Sequence, residues 1–253
     1  MNVTFLGTGT SQGIPIIGSN HPVCLSDDPK DKRLRSSIMI EWDEYRYVID
    51  CGPDFRQQML REQVDSIDGI VFTHEHADHT AGLDDIRAFS HKMGDVPLYV
   101  PERIIGNLEQ RFYYIFTKVN RYPGAPSAGI QVVDNKEFIL ANKKIVPIEF
   151  LHGKLPIFGY RIDNFAYLTD LKSISDAEKN KLKKLDVLVV NALRTEPHPT
   201  HLNLEDALNF IEELQPKKAY LTHISHKLGF HSEVEKQLPE NVFLAYDGLR
   251  LNV

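Results

Sequence analysis

Phe72-Thr73-His74-Glu75-His76-Ala77-Asp78-His79 brings four metal-ligating side chains, His74, His76, Asp78 and His79, into one short stretch. Neutral imidazole and carboxylate are the usual donors for zinc, iron and manganese. Residues two apart in an extended turn can aim two imidazoles at one point, so His74 and His76 can share an ion. Asp78 and His79 are adjacent and must point elsewhere, which suits a second ion close by. A solvated polar loop would account for one histidine. It does not account for H-x-H-x-D-H directly after an apolar strand.

The elements that must position these donors read as follows. Residues 68–72 form an apolar run ending at Thr73, so the donors start where a strand stops. Residues 83–89 then resume a helical pattern. Further chemistry-bearing residues stand at other strand ends. Asp50 closes a hairpin of residues 37–42 and 45–49 and is placed to orient a ligand histidine. His152 follows a strand at 144–150, Asp170 follows one at 165–168, and His223 follows one at 218–221. His201 lies in a polar loop after a buried strand at 186–191, and Asn203 caps the helix at 204–214. Asp54 is expected to cap a helix at 55–63, and Pro101 to open one at 102–116. Residues 117–129, rich in Pro and Gly, suit a lid or a dimer contact, unless the aromatics before them are simply the buried face of a helix. The Gly7-Thr8-Gly9-Thr10-Ser11 turn lacks the spacing of a phosphate loop.

Composition narrows the function class. A length of 253 residues, 42% hydrophobic and 25% charged, is that of one large domain, with halves about 1–125 and 126–253. A net charge of −6 without a basic run argues against an extended nucleic-acid surface. Neither a signal-peptide pattern nor a membrane-length apolar stretch is seen, so a cytoplasmic location is expected. Two cysteines, Cys24 and Cys51, do not make a disulfide framework.

The series His74, His76, Asp78, His79, His152, Asp170, His223 resembles, in residue type and order, the ligand series of the metallo-β-lactamase superfamily. The opening Phe5-Leu6-Gly7-Thr8-Gly9-Thr10-Ser11-Gln12-Gly13-Ile14-Pro15, Tyr167-Leu168-Thr169-Asp170, the His201-Leu202-Asn203-Leu204-Glu205 loop and Thr222-His223-Ile224-Ser225-His226 resemble the PhnP-like cyclic phosphodiesterases within it. The resemblance implies an α/β fold, a four-layer αββα sandwich with two sheets face to face. It also implies two divalent ions, zinc or manganese or else iron. His74, His76 and His152 would hold one, and Asp78, His79 and His223 the other, with Asp170 bridging. The family often adds a structural zinc held by three cysteines and a late histidine. Here those positions are Ser19, His21 and Cys24 with His226, which leaves a three-coordinate site plus water or none.

The chemistry is that of a dinuclear hydrolase. Two cations about 3.5–4 Å apart lower the pKa of a bridging water and stabilise charge on a phosphoryl oxygen. Asp78 is also expected to orient the hydroxide, and His201 to protonate the leaving group. The expected reaction is hydrolysis of a small cyclic phosphodiester, with Arg87, Arg121, Lys154 and Arg194 as candidate phosphate contacts. An RNA-processing nuclease is the alternative, ahead of a lactamase or a non-catalytic metal-binding protein. A homodimer is implied only by the resemblance.

Overall fold

The computed structural model describes residues 1–117, 119 and 121–253. Lys118 and Asn120, within the expected lid at 117–129, lie outside the described residues.

The first sheet takes β1 (Asn2–Gly7), β2 (Ser37–Trp42), β3 (Tyr45–Ile49), β4 (Gly69–Val71), β5 (Val96–Pro101) and β6 (Ala128–Val133). The second takes β7 (Phe138–Leu140), β8 (Lys143–His152), β9 (Leu155–Ile162), β10 (Phe165–Leu168), β11 (Val187–Asn191), β12 (Lys218–Thr222) and β13 (Val242–Leu244). The last strand, β14 (Arg250–Asn252), returns to pair with β1, so the two seven-stranded sheets run β14-β1-β2-β3-β4-β5-β6 and β13-β12-β11-β10-β9-β8-β7. The chain changes sheet between Val133 and Phe138.

Alternation along the strands builds the layers. Val3 and Phe5 of β1, Ile38 and Ile40 of β2, Phe165 and Tyr167 of β10 and Val187 and Val189 of β11 meet in the core between the sheets. Their neighbours face outward. Leu6, Met39 and Val48 pack with Phe55, Met59 and Phe89 of the helices over the first sheet. Ala166, Leu168, Leu188 and Val190 pack with Ala207, Phe210 and Ile211 of the helix Leu204–Leu214 over the second. These cores make the expected αββα sandwich, each sheet buried on both faces. Burying a side chain such as Phe5 or Tyr160 contributes about 1.5–3 kcal/mol.

Strand direction sets the working edge. β3 and β4 are parallel, as are β10, β11 and β12. Loops beyond the carboxyl ends of parallel strands are where such sheets present ligand-binding groups.

Three local expectations differ. Asp54 makes no side-chain cap; its carboxylate instead accepts from the Arg35 amide and guanidinium, the latter at 3.0 Å. The expected helix at 102–116 is a 3-10 turn, Glu102–Ile104, then Ile105–Arg111 and Tyr113–Phe116, broken at Phe112 where the backbone leaves helical angles. Phe112 and Ile115 are buried there, while Tyr113 faces solvent. Residues 83–89 begin as a 3-10 turn, Leu83–Ile86, before the helix Arg87–Met93.

Candidate metal centre

Strand ends from both sheets supply the site. After β3, Asp50 turns at φ 66°; after β10, Asp170 at φ 62°; after β12, His223 at φ 54°. Left-handed backbone is unfavourable for a residue with a side chain, and Asp and His are among those that tolerate it. Such strain persists where surrounding contacts fix it, most often at functional sites. After β4 the chain runs through Thr73 to His76, and the short helix Ala77–Thr80 carries Asp78 and His79. Gly52 lets this helix dock against the end of β3, because a Cβ there would stand 2.1 Å from the Asp78 carbonyl oxygen.

Three overlapping donor groups result: His74, His79 and Asp170; Asp78, His79 and His223; and His152, Asp170 and His201, each with its donor atoms within 4.8 Å of one another. Asp170 belongs to two of them and lies between the sheets' contributions. His79 Nε2 is 3.2 Å from Asp170 Oδ2 and 3.3 Å from Asp78 Oδ2. His223 Nε2 is 3.1 Å from Asp170 Oδ1 and 3.7 Å from Asp78 Oδ2.

These approaches are short but not aligned as hydrogen bonds. Among the described residues, His74 Nε2, His79 Nε2 and both ring nitrogens of His223 are buried without a hydrogen-bond partner. Buried polar atoms normally have one. Their other contacts explain the direction. His79 Nδ1 donates to Asp50 Oδ2 at 2.7 Å. His74 Nδ1 meets the Thr73 hydroxyl at 2.9 Å, and that hydroxyl donates to Asp50 Oδ2 at 2.8 Å. With protons on both Nδ1 atoms, both Nε2 atoms face the carboxylates, and without a cation the Nε2 of His79 keeps a proton there. Lone pairs and carboxylate oxygens converging in a buried space fit a cation, held as histidine ligands are by outer carboxylates.

The electrostatics agree. Burial presses the His79 ring toward neutrality, yet the charges of Asp78, Asp170 and Asp50 raise it well above its ordinary value. Burial favours the neutral Asp170 carboxyl, but the His223 and His79 rings hold it well below the carboxylate range. Burial raises Asp78 too, and His79 and His223 more than reverse it. For His74, burial and then the His79 charge push the ring well down.

The expected residues fall out unevenly. His74, Asp78, His79, His152, Asp170 and His223 all enter the donor groups. His76 is exposed and enters none, although its ring lies 4.6 Å from that of His74 and 5.1 Å from that of His152. His201 is at the site, its Nε2 3.0 Å from Asp170 Oδ1. Among the described residues His21, Cys24 and His226 do not form such a group. The His21 and His226 rings pack edge to face at 4.7 Å, but His21 Nδ1 accepts from the Val23 amide as a helix cap, and Cys24 is buried with Ile14 and Val23. Of the candidate phosphate contacts, the Arg87, Arg121 and Arg194 guanidiniums bind backbone oxygens of Gly124, Ala125 and Pro197 respectively. Lys154, just after His152, is exposed.

Four contributors lie outside the ligand series. Asp50 was marked by its strand end, but the Thr73 link to His74 was not, since a threonine beside a ligand carries no signal of its own. His198 and Thr200 also crowd His201, and only the folded loop reveals this.

Fold and donor groups together define a metallo-β-lactamase-fold domain with His and Asp clusters able to bind metal ions. The sequence model described as the β-lactamase superfamily domain matches residues 45–224, and the chain belongs to that superfamily. A crystal structure described as a new diphosphatase from the PhnP family is 43% identical, with a TM-score of 0.93, covering 100% of this chain and 97% of that one. The short form of human tRNase Z, at 20% identity and a TM-score of 0.71 over 100% of this chain and 99% of that one, shares the fold. An octanoyltransferase of Porphyromonas gingivalis (strain ATCC BAA-308 / W83) is 39% identical over 98% of this chain and 51% of its own length. A ribonuclease Z of Prochlorococcus marinus (strain MIT 9301) is 24% identical over 81% of this chain and 58% of its own length. The chain thus spans about half the length of these curated relatives. Among the described residues no helix is long and apolar enough to cross a membrane.

Proposed function

We propose that the chain is a phosphodiesterase that opens a small cyclic phosphodiester, such as a ribose cyclic phosphate, with two divalent cations, zinc or manganese or else iron. The observation that carries this reading is the set of buried, unpartnered nitrogens of His74, His79 and His223 converging on Asp78 and Asp170. In this reading His74, His76 and His152 hold one cation, Asp78, His79 and His223 the other, and Asp170 contacts both. When bound, such a pair supplies positive charge beside the phosphoryl oxygens and a water acidic enough to attack near neutral pH.

The chain's own residues do the remaining work. Asp50 fixes the His79 tautomer directly and that of His74 through Thr73. Asp78 orients the attacking water. His201 donates a proton to the leaving oxygen from Nε2. Without a cation, burial pulls the His201 ring down to about 4 against the pull of Asp170. A phosphodiester anion beside the ring favours its protonated form, and substrate binding thereby charges the acid that serves it.

Similarity to a PhnP-family diphosphatase favours a second reading, cleavage of a diphosphate. The two differ in their need for an acid. A sugar alkoxide must be protonated as it leaves, whereas a phosphate leaves as a stable anion. The test is metal-supplemented hydrolysis of bis-p-nitrophenyl phosphate, a 2′,3′-cyclic nucleotide, a ribose cyclic phosphate, a nucleoside diphosphate, a tRNA precursor and a lactam, each with His201→Ala alongside. The cyclic diesters are expected to turn over and to lose about 10²–10⁴-fold in the variant. Turnover of the diphosphate alone, little affected by His201→Ala, selects the second reading. Cleavage of the tRNA precursor alone selects the nuclease.

A further inference from the structure

His76 is the exposed member of the proposed ligand set; the others are buried or half-buried. Its ring stands beside those of His74 and His152, at 4.6 Å and 5.1 Å. Its backbone, at φ −59° and ψ 149°, leads into the short helix Ala77–Thr80, and its carbonyl accepts from the Thr80 hydroxyl at 2.9 Å. A ring at the rim of a site, with solvent on one side, is placed by its backbone more than by packing.

That backbone is gripped by two arginines from one neighbouring segment. Arg103, in the 3-10 turn Glu102–Ile104, donates from Nη1 to Glu75 Oε1 at 2.9 Å and from Nη2 to Glu75 Oε2 at 2.8 Å. Arg111, at the end of the helix Ile105–Arg111, donates from Nη1 to the Glu75 carbonyl at 3.0 Å and to the Thr80 hydroxyl at 2.9 Å. The segment is itself anchored. Ile104 and Leu108 are fully buried, in the same core as Phe72, which leads into the histidine stretch. Held at its carbonyls alone, the stretch could still turn about them. The two-point grip on the Glu75 carboxylate removes that freedom, since paired N–H···O bonds fix direction as well as distance. Arg103 and Glu75 keep 32% and 23% of their side chains open to solvent, so the pair adds little to stability. Its consequence is placement.

We propose that Arg103 is a positioning residue for the cation of His74, His76 and His152, holding His76 in place through the Glu75 carboxylate. This rests on the reading of those three histidines as one ligand set and adds what presents its exposed member. Charge and position predict opposite signs here. Removing Arg103 takes away a positive charge and leaves Glu75 ionised near the cation, which by Coulomb's law tightens cation binding. Losing the grip on His76 weakens it.

The test titrates the full chain, stripped of metal, with zinc against a chromogenic chelator. Arg103→Leu removes the guanidinium, and Arg103→Lys keeps the charge without the two-point grip. Arg103 lies at the surface, so neither change opens a core, and the unfolding midpoint of the metal-free chain should not move. Wild type is expected to bind two zinc ions. In Arg103→Leu one of them should bind about 10–100-fold more weakly and the other within about threefold of wild type, with Arg103→Lys in between. In a Glu75→Ala background Arg103→Leu should weaken zinc no further, because its route to His76 is already cut. At saturating zinc, KM for bis-p-nitrophenyl phosphate should stay within about twofold. Zinc affinity unchanged or tightened in Arg103→Leu overturns the proposal. So does equal weakening of both ions, or weakening that persists in full in the Glu75→Ala background. A raised KM with unchanged zinc affinity also overturns it and makes Arg103 a substrate contact. If wild type binds one zinc, the two-cation reading fails, and the fate of that ion in Arg103→Leu still decides the role of Arg103; if it binds none, the proposal falls with the ligand set. If wild type cleaves no diester, the proposed function fails while the zinc titration still decides.

Discussion

Two histidine-rich places in this molecule make opposite use of the same side chain. At the strand-end cradle, His74, His79 and His223 are buried with free nitrogens turned toward Asp78 and Asp170. At the N-terminal loop, His21 and His226 stack edge to face, His21 caps the short helix Pro22–Leu25, and Cys24 sits in an apolar cluster. The difference is in what holds the rings. The cradle's donors come off parallel strands, and Asp50 fixes His79 directly and His74 through Thr73 from behind. In the loop the Val23 amide takes the His21 Nδ1 and apolar packing takes Cys24; His226 Nδ1 is buried without a partner, but among the described residues it joins no converging group of donors. Donor types near one another in sequence do not make a site until a rigid frame leaves their lone pairs no other partner.

The largest effect should come from Asp170→Asn. Asparagine tolerates the left-handed backbone at φ 62° and keeps the volume, so only the charge is removed. Hydrolysis is expected to fall by about 10²–10³-fold or more, with loss of bound metal on desalting. Retention of both by this variant would falsify the shared role given to Asp170.

Asp50→Asn reaches the cradle from behind. Cation affinity, measured by competition with a chelator, is expected to weaken about 10–100-fold, since the carboxylate no longer orients His79 and, through Thr73, His74. An unchanged affinity means that the frame, not Asp50, sets the rings.

Proton release separates the two places further. In the metal-free fold His79 has its pKa raised above the ordinary 6.5 by Asp78, Asp170 and Asp50 against the effect of burial. A group raised on folding stabilises the fold fully below its unfolded value and loses that contribution as pH rises through the folded one. A cation must displace this proton. Cation affinity should therefore rise with pH, and calorimetry at neutral pH in buffers of different ionisation heat should detect proton release. Binding without release contradicts the His79 assignment.

The smallest effect on the metal should follow Cys24→Ser. A hydroxyl among Ile14, Val23 and Phe230 is expected to cost about 1–3 kcal/mol of stability, read from the unfolding midpoint, with the metal content unchanged. Loss of one metal equivalent would show that the N-terminal loop is a site after all.

Much of this was legible in the sequence. The two-residue side-chain period gave the strands that later form the three cores, and H-x-H-x-D-H after an apolar run marked the centre of the site. His152, Asp170 and His223 were visible only as polar residues at strand ends, and their grouping depended on the order implied by resemblance. Other features were not legible, for physical reasons. The left-handed turns at Asp50, Asp170 and His223 depend on strand-end packing that no local propensity encodes. Asp54 looks like a helix cap until Arg35, distant in sequence, takes its carboxylate. The contacts of His198 and Thr200 with His201 depend on ring positions set by a loop tied to β8 and to its own backbone.

The most direct measurement is an anomalous-scattering map of crystals grown with zinc or manganese. The account predicts two strong peaks flanking Asp170, one bounded by His74, His76 and His152 and the other by Asp78, His79 and His223. It predicts no peak between His21, Cys24 and His226. A single peak at the cradle, or none there with one at the N-terminal loop, would contradict it.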